Sequence, residues 1–186
     1  MDDPIGYFLP WVTYGTWLPG DARGWVEYQR GWQLPDPVRE LEAAARMTED
    51  AVRLDQEQRD AVQRQIAETC QHRGWHLHAV NCRSNHVHVV VSAGDTRPKK
   101  IRADLKAWAT RCLKQHARSL ADASGYDGSS LADASGYDGG SLADASGYDV
   151  ERENWWAERG SIRFLYDESS LEAAILYVTE GQDIPR

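Results

Sequence analysis

The sequence is poor in cysteine, in long apolar runs and, taken whole, in positive charge. Its 186 residues hold three cysteines, Cys70, Cys82 and Cys112, with no CxxC spacing. An odd, scattered set argues against a disulfide framework or a thiolate zinc site and suits a reducing cytoplasm, the expected location. No stretch approaches the roughly 20 apolar residues of a membrane span. The opening "MDDPIGYFLPWVTYG" lacks a basic segment leading into an apolar run, so neither signal peptide nor membrane anchor is expected. The formal net charge of −8 counts against a nucleic-acid surface spread over the whole chain. Its distribution qualifies that: between Arg97 and Arg118 eight Lys or Arg stand against one acid, Asp104. A basic segment in an acidic chain is the pattern of a localised phosphate-binding surface, although a solvated helix face would look the same.

What is present divides into short periodic segments. Tyr7 to Tyr14 reads as a strand, ended by Gly15 and the Pro19-Gly20 turn. Asp55 to His72 reads as an amphipathic helix. Asp55 and Gln58 have the spacing of a capping box, Val62, Ile66 and Cys70 recur every four residues, and Gly74 suits the stop. Trp75–Cys82 and His86–Ser92, joined by "RSN", form a candidate antiparallel hairpin. Lys99 to Leu113 reads as a second helix, with Ile101, Leu105, Trp108 and Cys112 as its apolar stripe and Lys99, Arg102 and Lys106 on another side. An 11-residue repeat then begins at Ser119, Ser130 and Ser141, and its Gly-Tyr-Asp-Gly breaks a helix. Residues 1–118 and 150–186 are therefore expected to form one domain, with 119–149 a flexible insertion whose Tyr126, Tyr137 and Tyr148 are exposed. Ser161–Tyr166 is a further strand candidate, and a last helix starts near Ser169 or Ser170. The order strand, helix, two strands, helix, strand, helix points to an α+β fold: a ferredoxin-like antiparallel sheet with packed helices and an additional C-terminal helix.

The chemistry concentrates in "SNHVHVVV", Ser84 to Val91. Alternate side chains of a strand share a face, so His86 and His88 point one way and Val87, Val89 and Val91 the other. The valines read as core. Two imidazoles on one strand can hold a divalent cation and leave positions open, but they do not make a site alone; a third ligand and a nucleophile must come from elsewhere. His76 and His78 also share a face and could line the same site or serve the fold.

"NHVHVVV" resembles the HUH motif (His, hydrophobic, His) of the single-tyrosine HUH transposases, a family that includes the REP-associated tyrosine transposases. "WVTYGTWLPGDARGW", "IRADLKAW", "GSIRFL" and "LYVTEGQ" stand in that family's order, and the likeness spans nearly everything outside the repeat. The resemblance implies that a tyrosine on the C-terminal helix attacks a DNA phosphodiester, giving a 5′-phosphotyrosine and a free 3′-hydroxyl, while a metal held by the histidines polarises the phosphate. Tyr177 stands at the matching position, and Tyr166 is its nearest rival. The third ligand is expected at Gln182, five residues on, with Glu180 the alternative; Gly181 occupies the simplest spacing. Mg²⁺ or Mn²⁺ is the implied ion, single-stranded, hairpin-containing DNA the implied partner, and a homodimer the implied assembly. Lys99, Lys100, Arg102 and Lys106 would neutralise phosphates, and one or two of Trp11, Trp17, Trp25 and Trp32 would stack bases. A domesticated, catalytically inactive hairpin-DNA-binding protein is the competing reading.

Overall fold

The computed structural model describes residues 3–27, 29–123 and 152–180. Its main sheet has four strands: β1 (Gly6–Val12), β4 (His76–Cys82), β5 (His86–Ser92) and β6 (Arg163–Leu165). They lie in the order β4-β5-β1-β6 with every neighbouring pair antiparallel. With α2 (Gln56–Arg73) between β1 and β4, and α3 (Pro98–Ala123) between β5 and β6, this is the ferredoxin-like split βαβ arrangement. The helix α4 (Glu168–Thr179) follows as the extra C-terminal element. Three elements have no counterpart in the sequence reading: a two-stranded ribbon of β2 (Trp25–Glu27) and β3 (Gly31–Gln33), and α1 (Pro37–Ala45). The ribbon strands span three residues each, too few to show a period of two.

The sheet separates two cores because its strands alternate. Val87, Val89 and Val91 of β5 join Leu9 and Trp11 of β1 on the face covered by α2 and α3. On the opposite face Val90, Ala79 and Leu165 pack with Ala174 and Val178 of α4. α2 forms where its end signals predict: Asp55 and Gln58 make a capping box, and Gly74 closes the helix in the left-handed conformation, φ +68°. α4 starts slightly earlier than expected because Asp167 is the cap, its carboxylate accepting from the Ser170 N–H at 2.7 Å.

α3 departs from expectation twice. It continues to Ala123, five residues into the span assigned to the insertion. Its core-facing residues are Ile101, Leu105, Ala109, Leu113 and Ala117, a strict i, i+4 row, whereas Trp108 is 37% exposed with the Arg111 guanidinium 4.6 Å from its ring centre. Trp108 belongs to the neighbouring row, whose Asp104 pairs with Arg73 of α2 at 3.0 Å and whose Cys112 thiol meets the Ala61 carbonyl of α2 at 3.7 Å. All three cysteines are free thiols. No described helix is long and apolar enough to cross a membrane.

Candidate active site

His86 and His88 leave β5 on the face that α4 partly covers, opposite Val12 and Pro10 of β1. Their ring centres are 4.8 Å apart. The Asn85 Oδ1 lies 2.8 Å from His86 Nδ1; with that oxygen accepting, the imidazole keeps its proton on Nδ1 and presents a lone pair on Nε2, the state a metal ligand needs.

α4 brings Tyr177 to the same place. Its ring centre is 5.5 Å from that of His88 and 5.9 Å from that of Phe8 on β1, and 39% of the residue is exposed. The sheet fixes this helix end directly: Asn81 of β4, the register partner of His88, donates its side-chain N–H to the Val178 carbonyl at 3.0 Å. Asn81, Asn85 and Phe8 were not singled out from the sequence. Asn81 and Phe8 carry no signal there, whereas Asn85 could have been noticed as the polar residue abutting the histidine pair.

The histidines form part of the lining of a cleft of about 630 Å³. Trp17, Leu18, Arg23 and Trp25 line it as well, and so do Ala157, Arg159, Gly160 and Ser161. Trp17 is held by its indole N–H, which donates to the Gly24 carbonyl at 2.8 Å, and its ring meets that of Trp32 at 6.4 Å. Arg23 grips Asp21 with Nη2 and Nε at 2.7 and 2.8 Å, and these bonds hold the Asp21 carboxyl below the usual carboxylate range. Of the four tryptophans considered for stacking, Trp11 and Trp25 are buried, while Trp17 and Trp32 are 38% and 60% exposed.

The other candidates fall elsewhere. His76 pairs with Ser92, four residues along β5 from His88, about 13 Å at strand rise. The His78 Nε2 is 2.8 Å from the Ser92 hydroxyl, and burial, then neighbouring His76, holds its pKa low. Both therefore serve the far end of the sheet. Among the described residues no three His, Cys, Asp or Glu come together as a metal cluster; Glu180 is exposed just past the end of α4, and Gln182 lies outside the described residues. Tyr166, 55% exposed, stacks on Phe164 at 6.3 Å on the edge strand side. Lys99 and Lys100 are exposed at the start of α3, and Lys100 pairs with Asp104 at 3.2 Å. Arg102 and Lys106 instead turn inward onto backbone carbonyls of residues 157–161.

Comparison with known proteins returns the family that the motifs resembled. A family model described as "Transposase IS200 like" matches residues 46–133, a span that contains His86, His88 and the basic stretch of α3 but stops short of Tyr177. No curated protein matches the chain. A solved structure described as a REP-associated tyrosine transposase bound to a REP hairpin is similar over 96% of this chain and 66% of that one, at 10% identity and a TM-score of 0.45. The chain thus spans about two thirds of that protein's length.

Proposed function

We propose that this chain, which matches the IS200-like transposases over residues 46–133, nicks and rejoins single-stranded, hairpin-containing DNA with Tyr177 as nucleophile. The observation that supports the reading is the approach of Tyr177 to His88, rings 5.5 Å apart, where His88 also lines the cleft of about 630 Å³. Two imidazoles on one strand face fit the nitrogen part of a divalent-cation site, and His86 and His88 would hold Mg²⁺ or Mn²⁺, with Gln182 as the proposed third ligand. Such an ion supplies polarisation of a phosphate oxygen and charge neutralisation.

The residues of the chain do the rest. The Tyr177 hydroxyl oxygen bonds to phosphorus as the bond from phosphorus to the 3′ oxygen breaks. The phenolic proton is released, the departing 3′ oxygen takes up a proton, and the products are a 5′-phosphotyrosine and a 3′-hydroxyl. Attack by a 3′-hydroxyl reverses both changes, so the phosphodiester energy is kept for rejoining. Asn85 orients His86, Asn81 steadies the end of α4, and of the four cations expected at phosphates Lys99 and Lys100 are the exposed pair. Tyr177 approaches a histidine of its own chain, which supports a tyrosine and histidine pair acting within one protomer, whether or not the homodimer implied by the resemblance forms.

The test is a covalent one. With a hairpin-containing single strand and Mn²⁺, the protein should give an adduct that survives denaturant and is joined to the new 5′ end. Tyr177→Phe, lacking only the hydroxyl, should form none while binding DNA nearly as well, and Tyr166→Phe should still form it. An adduct from Tyr177→Phe would overturn the assignment. Binding by the unaltered chain with no adduct would instead favour the domesticated, non-cleaving protein.

A further inference from the structure

The wall of the cleft formed by residues 157–161 is held by helix α3. Lys106 Nζ donates to the carbonyls of Ala157 at 2.6 Å and Arg159 at 3.0 Å. One turn earlier on the helix, Arg102 Nη1 donates to the Gly160 carbonyl and, at 3.2 Å, to that of Ser161. Four successive or near-successive carbonyls are thus bound by two cations from an element 51 to 59 residues away in sequence. The opposite side of the segment is pressed against β1. The Ala157 N–H donates to the Val12 carbonyl at 3.1 Å, and a Cβ on Gly160 would lie 2.6 Å from the Pro10 carbonyl oxygen and 2.9 Å from Trp11 Cβ. The wall is therefore fixed between strand and helix, with no room to settle closer to the strand.

Hydrogen bonds from charged donors are worth more than neutral ones, and leaving such a donor half-buried without its acceptor is costly. Both cations are drawn out of water to make these bonds: burial, then neighbouring Arg102, brings the Lys106 ammonium down to about 8, and burial lowers Arg102 as well. A lysine meant for phosphate in solution has no reason to accept that cost.

Resting on the reading of the cleft as a nucleic-acid site, we propose that Arg102 and Lys106 are positioning residues that clamp the 157–161 part of the cleft lining, and so set the room open to a nucleotide, without touching phosphate themselves. The four cations of α3 expected at phosphates then divide in two: Lys99 and Lys100 are exposed, and the inward pair, Arg102 and Lys106, builds the site.

Amide hydrogen exchange on the free, full-length protein tests the clamp without DNA. Lys106→Met keeps the apolar stem and removes the donor, so exchange in peptides covering 157–161 should accelerate roughly tenfold while peptides of α2 and β5 stay unchanged. Lys99→Ala should change none of them. Arg102→Met makes the same prediction and decides the matter should Lys106→Met fail to fold. In binding to a hairpin oligonucleotide, Lys106→Met should weaken affinity with the salt slope of the unaltered protein, whereas Lys99→Ala should lower that slope by about one. Unchanged exchange at 157–161 overturns the proposal whatever the binding does. A fall of about one in the slope for Lys106→Met also overturns it, by making the lysine a phosphate contact. If the unaltered protein binds no oligonucleotide, the nucleic-acid reading fails and the exchange arm alone decides the clamp.

Discussion

Asn81 holds Val178: the side-chain amide of one donates to the carbonyl of the other at 3.0 Å, across 97 residues of sequence. Val178 lies in the last turn of α4, where carbonyls have no partner within the helix, and the residue before it is Tyr177. The bond therefore ties the helix end that carries the phenol to the strand beside His88.

Asn81→Ala should accordingly cost about 1 kcal/mol of stability and lower the single-turnover rate of adduct formation more than it lowers DNA affinity. Thermal melts and a rapid-quench nicking time course would check this. Equal losses in rate and affinity would mean that the bond only supports the fold.

His86→Ala and His88→Ala should each abolish the Mn²⁺-dependent adduct and leave a cooperative melt. His88→Ala should melt lower of the two, because its ring packs against both Phe8 and Tyr177, and such contacts are worth about 0.5–1.5 kcal/mol beyond area. Either variant unfolding at ordinary temperature would make the pair structural.

The repeat should be dispensable. α3 is anchored by Leu113 and Ala117 in the core. The chain after the repeat is anchored by Arg152, which donates to the Asp50 carbonyl at 2.8 Å, by the Asn154 N–H on Glu49 at 2.9 Å, and by buried Trp155. The copies themselves, rich in Gly, Ser, Ala and Asp, offer little apolar area against an ordering cost of about 1–2 kcal/mol per residue. Replacing residues 124–149 with a Gly/Ser linker should leave the melting temperature and Mn²⁺ affinity nearly unchanged; loss of cooperativity in calorimetry would show that the repeat packs on the domain.

Lys106 makes a pH prediction with a definite sign. In the folded chain its ammonium titrates at about 8, below the ordinary value of 10.5, because of burial and then the charge of Arg102. Between those two values the unfolded chain binds the extra proton, so folding stability contributed by this group rises with pH across that window. Below about 8 the penalty of burying the charge is fully present. The stability of the unaltered protein relative to Lys106→Met should thus increase from pH 7.5 to pH 9.5 in urea titrations. A constant difference would show that the lysine is not desolvated.

What was legible in the sequence was local. The capping box of Asp55 and Gln58, the Gly74 stop and the alternation that sends Val87, Val89 and Val91 to one side and His86 and His88 to the other depend on residues within a turn or a strand of each other, and short-range geometry decides them. The order of elements likewise carried the α+β sheet, because βαββαβ segments have few ways to cover both faces. Identical residue types could not be sorted so. Trp11 is buried and Trp32 open, and Trp108 sits outside a helix whose core row runs through Ala109, because a helical stripe two residues wide does not say which of its rows faces the sheet. The assignment of Arg102 and Lys106 to carbonyls rather than to solvent needed residues 157–161 on the spot. The approach of Tyr177 to His88 needed α4 docked on β4 and β5. Side-chain partners at that sequence distance are chosen by packing, which excludes water and leaves each buried polar group to whatever acceptor the fold has brought within reach.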